Sequence, residues 1–212
     1  MKRILVIDRE FGAGGSPIAE KVAQRLGWQL LDQELTREIA RLANIPPEDC
    51  QRREERLDPW LQRLVNIIWR GSFERNLPAP DMAVLNTDRL ITLVRQVVER
   101  AITAGPCVIV GRGAPYFLHG RPDVVCVFLY ASRELRFQRV LKRTGDAKRA
   151  VELVDTMDDE RRQFVKHHFN RDWPDRRLFH ALINTVVGYD ATTELILQVL
   201  NAANRLEEEP AA

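Results

Sequence analysis

Short, unbroken runs of apolar residues alternate along this chain with longer segments in which apolar residues recur every three or four positions. The first pattern is typical of strands buried on both faces, and the second of amphipathic helices. Strands are predicted at residues 4–7, 28–31, 107–110, 124–130 and 179–184. Helices are predicted at about residues 18–26, 35–42, 58–69, 81–104, 132–142, 147–171 and 191–203. The alternation predicts an α/β fold with a parallel sheet covered on both faces, and a ligand site beyond the carboxyl ends of the strands.

One block departs from this alternation, because residues from about 46 to 104 carry helical patterns and no convincing strand. Gly105 and Pro106 close the block just before the third predicted strand. We therefore expect a helical insertion between the second and third strands of the sheet. A long, charged helical stretch at residues 147–171 follows the fourth strand.

The composition is that of an ordinary globular protein, with 45% hydrophobic and 29% charged residues among 212. These fractions argue against a disordered, collagen-like or membrane-spanning chain. A net charge of +2 gives no reason to expect nucleic acid or an anionic membrane as a partner. Any basic site must therefore be local.

The cysteines and the N-terminal residues bear on the cellular compartment. Cys50, Cys107 and Cys126 have no CxxC spacing, and two of them lie inside predicted strands. We interpret them as core residues of a protein in a reducing compartment. The apolar run at residues 4–7 is too short for the core of a signal peptide or a membrane helix. We therefore expect a cytoplasmic protein.

The segment at residues 9–16 reads Arg-Glu-Phe-Gly-Ala-Gly-Gly-Ser and lies between the first predicted strand and the first helix. Phosphate binding needs inward backbone N–H groups, glycines that allow close approach and a helix N-terminus, and this segment offers all three. In a comparison with the phosphate-binding motif GxxxxGK[ST], Gly14 and Ser16 match, whereas Arg9 replaces the first glycine and Gly15 the lysine. The alternative is that these glycines only form a tight strand-to-helix turn.

Two side chains of this loop are candidates for a charge or metal role. Ser16 is predicted to be both the N-cap of the first helix and a ligand of nucleotide-bound Mg²⁺, with Pro17 at the first helical position. Arg9 lies in the same loop, so it is a candidate for the positive charge that is missing at Gly15.

Several motifs occur along the chain in a characteristic order: the loop at residues 9–16, the segments 31–35, 108–114, 127–131 and 182–185, and the pair Asp158 and Arg161. In this combination the chain resembles the cytidylate kinase-like family of P-loop nucleoside monophosphate kinases, and the resemblance covers nearly the whole sequence. In this branch of the family a REFGxGG loop replaces the usual lysine-bearing loop. Gly113 stands where typical cytidylate kinases have an aspartate, after Gly111 and Arg112.

The resemblance implies one P-loop kinase domain with a three-layer α/β/α fold and a five-stranded parallel sheet. Its core is expected at about residues 1–32, 105–142 and 178–205, with a helical insertion that binds the nucleoside monophosphate at about 33–104 and an arginine-rich lid at about 143–177. The cofactors implied are ATP and Mg²⁺, and the partners small-molecule nucleotides, with no nucleic acid and no membrane. The oligomeric state is not predicted.

The function implied is ATP-dependent phosphorylation of a nucleoside monophosphate, CMP or dCMP first of all. Two alternatives remain open. The first is a nucleotide-binding regulatory module with weak or no kinase activity, which the glycines at positions 15 and 113 would suit. The second is a small-molecule kinase with a different acceptor, since no residue pattern in the sequence reports which base is recognised.

The expected site residues form three groups. The ATP-binding residues are expected to be Phe11, Gly12, Ala13, Gly14, Gly15 and Ser16. The arginines expected to act on the transferred phosphoryl group are Arg9, Arg112, Arg136, Arg139, Arg143 and Arg161. The resemblance further implies that the acceptor is bound by Asp32, Arg37 and Arg112.

Each of these assignments has a plainer alternative. The arginines at positions 136, 139 and 143 share one helix face, and those at positions 161 and 162 follow in the expected lid. For any of them, nearby acidic residues are also typical of a solvated, salt-bridged helix. Arg37 and Arg112 could be surface arginines without a ligand. Asp32 could be a helix N-cap, for which aspartate is a common choice.

Overall fold

The computed structural model describes residues 1–32 and 87–208. Five strands form one sheet: β1 (Ile4–Arg9), β2 (Gln29–Leu31), β3 (Cys107–Val110), β4 (Val124–Tyr130) and β5 (Ala181–Asn184). Their order across the sheet is β2-β3-β1-β4-β5, and every neighbouring pair is parallel. The predicted parallel sheet is confirmed, and the predicted bounds of β3 and β4 agree with the structure.

The helices of the described residues cover the sheet. They are α1 (Gly15–Leu26), α2 (Thr87–Ala104), α3 (Ala114–Phe117), α4 (Arg133–Thr144), α5 (Ala147–Phe169) and α6 (Tyr189–Glu208). Gly27 ends α1 in a left-handed conformation, and its N–H group donates to the last turn. Gly145 ends α4 in the same way, and the Asp146 side chain then accepts from the Arg149 N–H to begin α5.

Alternate residues of β1 point to opposite faces of the sheet, which explains why residues 4–7 of the strand are all apolar. Ile4 and Val6 pack on one face, in a cluster that includes residues of α2 and α5. Leu5 and Ile7 pack on the other face, in a cluster that includes residues of α1 and α6. The result is a three-layer α/β/α arrangement. It brings the carboxyl end of β1 to the centre of the sheet, beside β3 and β4.

Burial of the cysteines agrees with their predicted place in the core. Cys107 and Cys126 are free and buried, and desolvation raises the pKa of their thiols to about 11 and about 12. Cys50, Arg37 and the helices predicted between residues 33 and 86 lie outside the described residues. Within residues 1–32 and 87–208, no helix is long and apolar enough to cross a membrane.

Candidate phosphate-binding site

The loop between β1 and α1 presents its backbone at the carboxyl end of the sheet. Gly12 and Gly14 have φ angles of +80° and +88°, in the left-handed region that glycine adopts readily. Gly14 is the N-cap of α1, and no side chain caps the helix there. The free N-terminal N–H groups of a helix and its dipole favour an anion in front of them. The loop therefore has the backbone geometry that a phosphate group needs.

The N-cap prediction for Ser16 is wrong, because α1 begins at Gly15, two residues earlier than predicted. Ser16 lies in the first turn, and Pro17 is the third residue of the helix. The buried Ser16 hydroxyl donates to Asp32 Oδ2 at 2.8 Å. Gly14, in a left-handed conformation, is the N-cap of α1, which is the role that the sequence analysis assigned to Ser16.

Asp32 follows β2 and connects the loop to a buried arginine. Its Oδ1 atom lies 3.6 Å from Arg112 Nη2, and the Arg112 side chain is 1% exposed. Burial lowers the pKa of Arg112 to about 10, while the nearby Asp32 charge opposes this shift. The guanidinium is still charged at neutral pH. The surface alternative for Arg112 is therefore wrong.

The backbone around Arg112 is unusual. Gly111, Arg112 and Gly113 have φ angles of +65°, +62° and +70° in succession, and the first turn of α3 follows at Ala114. A left-handed conformation costs a residue with a side chain roughly 1–2 kcal/mol. The surrounding structure must supply this energy, which holds the arginine side chain inward beside Asp32.

Gly113 is packed closely against two aromatic side chains. A Cβ atom there would lie 3.2 Å from Phe117 Cε2 and 3.3 Å from Phe169 Cζ. Two aromatic rings therefore stand beside the position that holds aspartate in typical cytidylate kinases. An aspartate at residue 113 would have to displace them and adopt a left-handed backbone.

Arg136 and Arg139 extend from one face of α4 to the phosphate-binding loop. Arg136 donates to the Phe11 carbonyl at 3.2 Å and to Asp158 Oδ2 at 2.6 Å. Arg139 donates to the Ala13 carbonyl at 3.2 Å. These two arginines therefore fix the backbone of the loop.

Arg139 has further partners at the carboxyl end of the sheet. It donates to Thr185 Oγ1 at 2.7 Å and to the Thr185 carbonyl at 2.8 Å, and it lies 5.0 Å from the centroid of the Tyr189 ring. Arg143 lies 5.2 Å from the centroid of the Phe11 ring. A cavity of about 310 Å³ lies beside the loop, and Arg139 and Arg143 are among its lining residues.

Asp158 on α5 is a shared acceptor for this part of the site. Its carboxylate accepts from the Phe11 N–H at 2.8 Å and from Arg161 Nη1 at 2.9 Å, in addition to Arg136. Arg161 also donates to the Arg9 carbonyl at 3.1 Å. The solvated alternative fails for Arg136 and Arg161, which are largely or fully buried. It describes Arg133 and Arg162, whose ion pairs are exposed.

Glu10 is a loop carboxylate that the sequence did not single out. Its Oε2 atom accepts from the Ala131 N–H at 3.1 Å and lies 3.4 Å from Arg136 Nε. Desolvation raises the pKa of Glu10 above its usual value of 4.5, against the lowering effects of that hydrogen bond and of Arg136. Glu10 joins the loop to the end of β4.

Most of the expected site residues lie close together in the described part of the chain. The structure brings together thirteen of the fourteen expected site residues, and these are Arg9, Phe11, Gly12, Ala13, Gly14, Gly15, Ser16, Asp32, Arg112, Arg136, Arg139, Arg143 and Arg161. Sequence reasoning missed Tyr189, and it cited Thr185 only as part of the motif at residues 182–185, without a role at the loop. No group of three His, Cys, Asp or Glu side chains in residues 1–32 and 87–208 is arranged to hold a metal ion without further ligands.

Solved structures with a similar fold include several kinases. A protein from Eubacterium ventriosum gives a TM-score of 0.67 at 21% identity, covering 94% of this chain and 99% of its own. A gluconokinase from Sinorhizobium meliloti gives 0.57 at 14% identity, with full coverage of both chains at 100%. A shikimate kinase from Acinetobacter baumannii, in complex with shikimate, gives 0.53 at 20% identity, with 95% and 94% covered. At these identities the likeness shows the fold.

The sequence comparisons assign the family. A search of curated protein sequences gave no significant match. The profile of the cytidylate kinase-like family matches residues 4–186, which include every described strand and the whole phosphate-binding loop. The chain therefore belongs to the cytidylate kinase-like family.

Proposed function

We propose that this protein transfers the γ-phosphoryl group of Mg-ATP to a nucleoside monophosphate, with CMP and dCMP as the first candidates. The observation that carries the proposal is the chain of contacts from Ser16 to Asp32 and from Asp32 to Arg112. One carboxylate thereby connects the loop that suits the donor phosphates with a buried cation that suits the acceptor phosphate. Phosphoryl transfer requires this proximity, because its catalysis is mostly positioning and charge stabilisation.

The residues divide into direct and supporting roles. The N–H groups at the start of α1 and the left-handed glycines bind the donor phosphates, and Arg112 binds the acceptor phosphate. Arg139 and Arg143 line the cavity beside the loop and face the donor nucleotide. Arg136, Arg161 and Asp158 act through the loop, because their hydrogen bonds fix its backbone.

The reaction needs no covalent intermediate on the protein. An oxygen of the acceptor phosphate forms a bond to the γ-phosphorus as the bond from that phosphorus to the β-phosphate oxygen breaks, and ADP leaves. Negative charge on the transferred group is stabilised by the buried guanidinium groups around the loop. Their low exposure strengthens this stabilisation, because little water screens them.

The side chains present suit a Mg²⁺ ion delivered with the nucleotide. Mg²⁺ prefers oxygen ligands, keeps several waters and usually takes only one or two protein ligands beside the substrate phosphates. The Ser16 hydroxyl and the Asp32 carboxylate supply two adjacent oxygens at the edge of the loop. When bound, the ion would neutralise charge on the donor phosphates.

The candidate acceptors fall into two classes. Residues 33–86, where the acceptor-binding insertion is expected, lie outside the described part of the chain. Gly113 brings no side chain to the acceptor, and aromatic rings stand beside it. Relatives in fold include kinases of shikimate and gluconate, so small hydroxyl-bearing acceptors are the second candidate class.

The decisive experiment measures ADP formation from Mg-ATP with CMP, dCMP, UMP, AMP, GMP, shikimate, gluconate or no acceptor, together with ATP binding by calorimetry. We expect ADP formation that depends on CMP or dCMP. Turnover with shikimate or gluconate alone would replace the acceptor class and keep the phosphotransferase. Tight Mg-ATP binding without turnover on any acceptor would support the regulatory module instead.

A further inference from the structure

The loop departs from the GxxxxGK[ST] motif at two positions, and the structure connects them. Arg9 stands at the first glycine of the motif, and Gly15 stands at the lysine. In lysine-bearing loops the lysine side chain reaches the β- and γ-phosphates, which makes it the cation closest to the transferred group. A loop without it needs another source of positive charge at that place.

The Arg9 side chain occupies the space that a side chain at residue 15 would need. A Cβ atom on Gly15 would lie 2.7 Å from Arg9 Cγ, 3.1 Å from Cδ and 3.2 Å from Nε. The backbone gives no reason for glycine here, because Gly15 is a helical residue and is not among those with positive φ. The glycine at residue 15 is therefore explained by the path of the Arg9 side chain.

The far end of the Arg9 side chain makes a second close approach. A Cβ atom on Gly111 would overlap Arg9 Nη1, so the guanidinium passes directly over the residue that follows β3. Arg9 is 4% exposed, and its charge contributes to lowering the pKa of Arg112. Two guanidinium groups are thus held near one another at the carboxyl ends of β1 and β3. Two buried guanidinium groups that lie near one another favour the binding of an anion between or in front of them.

We propose that Arg9 replaces the P-loop lysine, binding the β- and γ-phosphates of the nucleotide from the opposite end of the loop, with Gly15 and Gly111 leaving room for its side chain. The inference rests on the proposed function for the identity of the ligand. The guanidinium offers five donors in a fixed plane and remains charged, so it suits two phosphate oxygens at once. The two departures from the motif then have one explanation. Residue 9 at the start of the loop supplies the positive charge that residue 15 supplies in the standard motif.

The test is an exchange back to the standard motif. Arg9→Ala, Gly15→Lys and the double variant Arg9→Gly with Gly15→Lys are compared with the natural protein for Mg-ATP and adenosine binding by calorimetry. We expect Arg9→Ala to weaken Mg-ATP binding about tenfold or more and to leave adenosine binding unchanged, because a charged hydrogen bond to phosphate is lost. Gly15→Lys alone should weaken binding as well, since the new side chain meets Arg9. The double variant should regain most of the Mg-ATP affinity.

A second pair of variants guards against misfolding. Arg9→Gln retains much of the aliphatic stem and removes the charge, so it should fold and still lose Mg-ATP affinity. Arg25→Ala is the matched control, because Arg25 lies on α1 in an exposed ion pair with Glu194. It should bind Mg-ATP as the natural protein does.

The outcomes separate this inference from the proposed function. Unchanged Mg-ATP affinity in Arg9→Gln, or a double variant no better than Gly15→Lys alone, would overturn the role of Arg9. Loss of affinity in Arg9→Gln with recovery in the double variant supports that role even if no acceptor yields ADP, a result that would overturn only the kinase activity. A natural protein that binds no Mg-ATP would overturn both.

Discussion

Two glycine-rich turns lie side by side at the carboxyl end of the sheet. Both contain left-handed residues, but they present different chemical groups. The turn after β1 has left-handed glycines at residues 12 and 14 and leads into the 12-residue helix α1. The turn after β3 has three left-handed residues in succession and leads into the 4-residue helix α3. The Gly111 N–H donates to the Ile7 carbonyl of β1 at 3.0 Å, which fixes the start of the second turn against that strand.

The difference lies in what each turn presents. The first turn presents the backbone N–H groups at the start of α1, and it depends on the absence of side chains at its glycines. The second turn accepts the strain of a left-handed arginine and presents a buried cation, Arg112, beside Asp32. A backbone site suits the triphosphate of a donor common to many enzymes, and a side-chain site suits the phosphate of one acceptor. The comparison predicts that substitutions in the two turns affect different ligands.

Removal of the Arg112 side chain should give the largest effect. In Arg112→Ala the buried Asp32 loses its cationic neighbour, so we expect the free energy of unfolding to fall by about 3 kcal/mol. Acceptor kcat/KM should fall about 100-fold or more, with ATP affinity nearly unchanged. Urea denaturation, steady-state kinetics and calorimetry measure the three quantities. Equal losses of acceptor use and ATP binding would contradict the division between the turns.

Arg112→Gly is the matched control for the backbone. It removes the same side chain but adopts φ near +62° without penalty. We expect it to be more stable than Arg112→Ala by about 1 kcal/mol, and equally poor in acceptor use. A glycine variant no more stable than the alanine variant would show that the left-handed arginine stores no strain.

The first turn is broken by adding a methyl group at Gly14. A Cβ atom there would lie 2.5 Å from Tyr189 Cε1, at a residue with φ of +88°. Gly120→Ala is the control, because Gly120 has φ of +81° and nothing within 4 Å of the added atom. We expect Gly14→Ala to lose about 2 kcal/mol more stability than Gly120→Ala, since only the former is overpacked. It should also weaken Mg-ATP binding, whereas Gly120→Ala should not.

Equal destabilisation of the two alanine variants would mean that backbone strain alone explains the glycine at residue 14. The contact with Tyr189 would then carry no weight. Retention of full Mg-ATP affinity in Gly14→Ala would contradict the role of this turn as the donor site.

The sequence was sufficient for the features that local patterns determine. The bounds of β3 and β4 follow from unbroken apolar runs flanked by Gly-Pro or polar residues, and the phosphate-binding loop from its glycines. The start of α1 was misplaced, because a left-handed glycine and not the serine begins the helix. β5 begins at Ala181 and not at residue 179, since Ala181 is the first residue that pairs with β4, opposite Val127.

Features built by distant residues left no local signal. Asp158 accepts from the Phe11 N–H across 147 positions of sequence, and no spacing rule connects them. Tyr189 approaches Gly14 in the same way. The charged pattern of α5 could not distinguish the buried Arg161 from the exposed Arg162, because burial depends on the packing of the helix against the loop.

The smallest expected effect concerns Glu10. It tests whether a side chain of the first turn contributes through its charge, in addition to the backbone role of the turn. Burial raises the pKa of Glu10 above 4.5 in the folded protein, so the folded state retains this proton to a higher pH than the unfolded state. Stability should therefore fall, relative to Glu10→Gln, as the pH rises above about 4.5 and through the raised pKa. The measurement is the difference in unfolding free energy between the two proteins in urea, from pH 4 to pH 7.

Asp123→Asn supplies a control of opposite sign. Two hydrogen bonds from Arg121 lower the pKa of Asp123, so its contribution is present at neutral pH and is lost as the pH falls through the lowered pKa. Relative to Asp123→Asn, the natural protein should gain stability as the pH rises to about 4 from more acid values, because the pKa of Asp123 is lowered from 3.8. Relative to Glu10→Gln, it should lose stability as the pH rises above about 4.5. If both differences had the same slope, the carboxylate of the first turn would be stabilised by Arg136 more than it is penalised by burial. The first turn would then share the charge-based character of the second, and the contrast between a backbone site and a side-chain site would be weaker than the structure indicates.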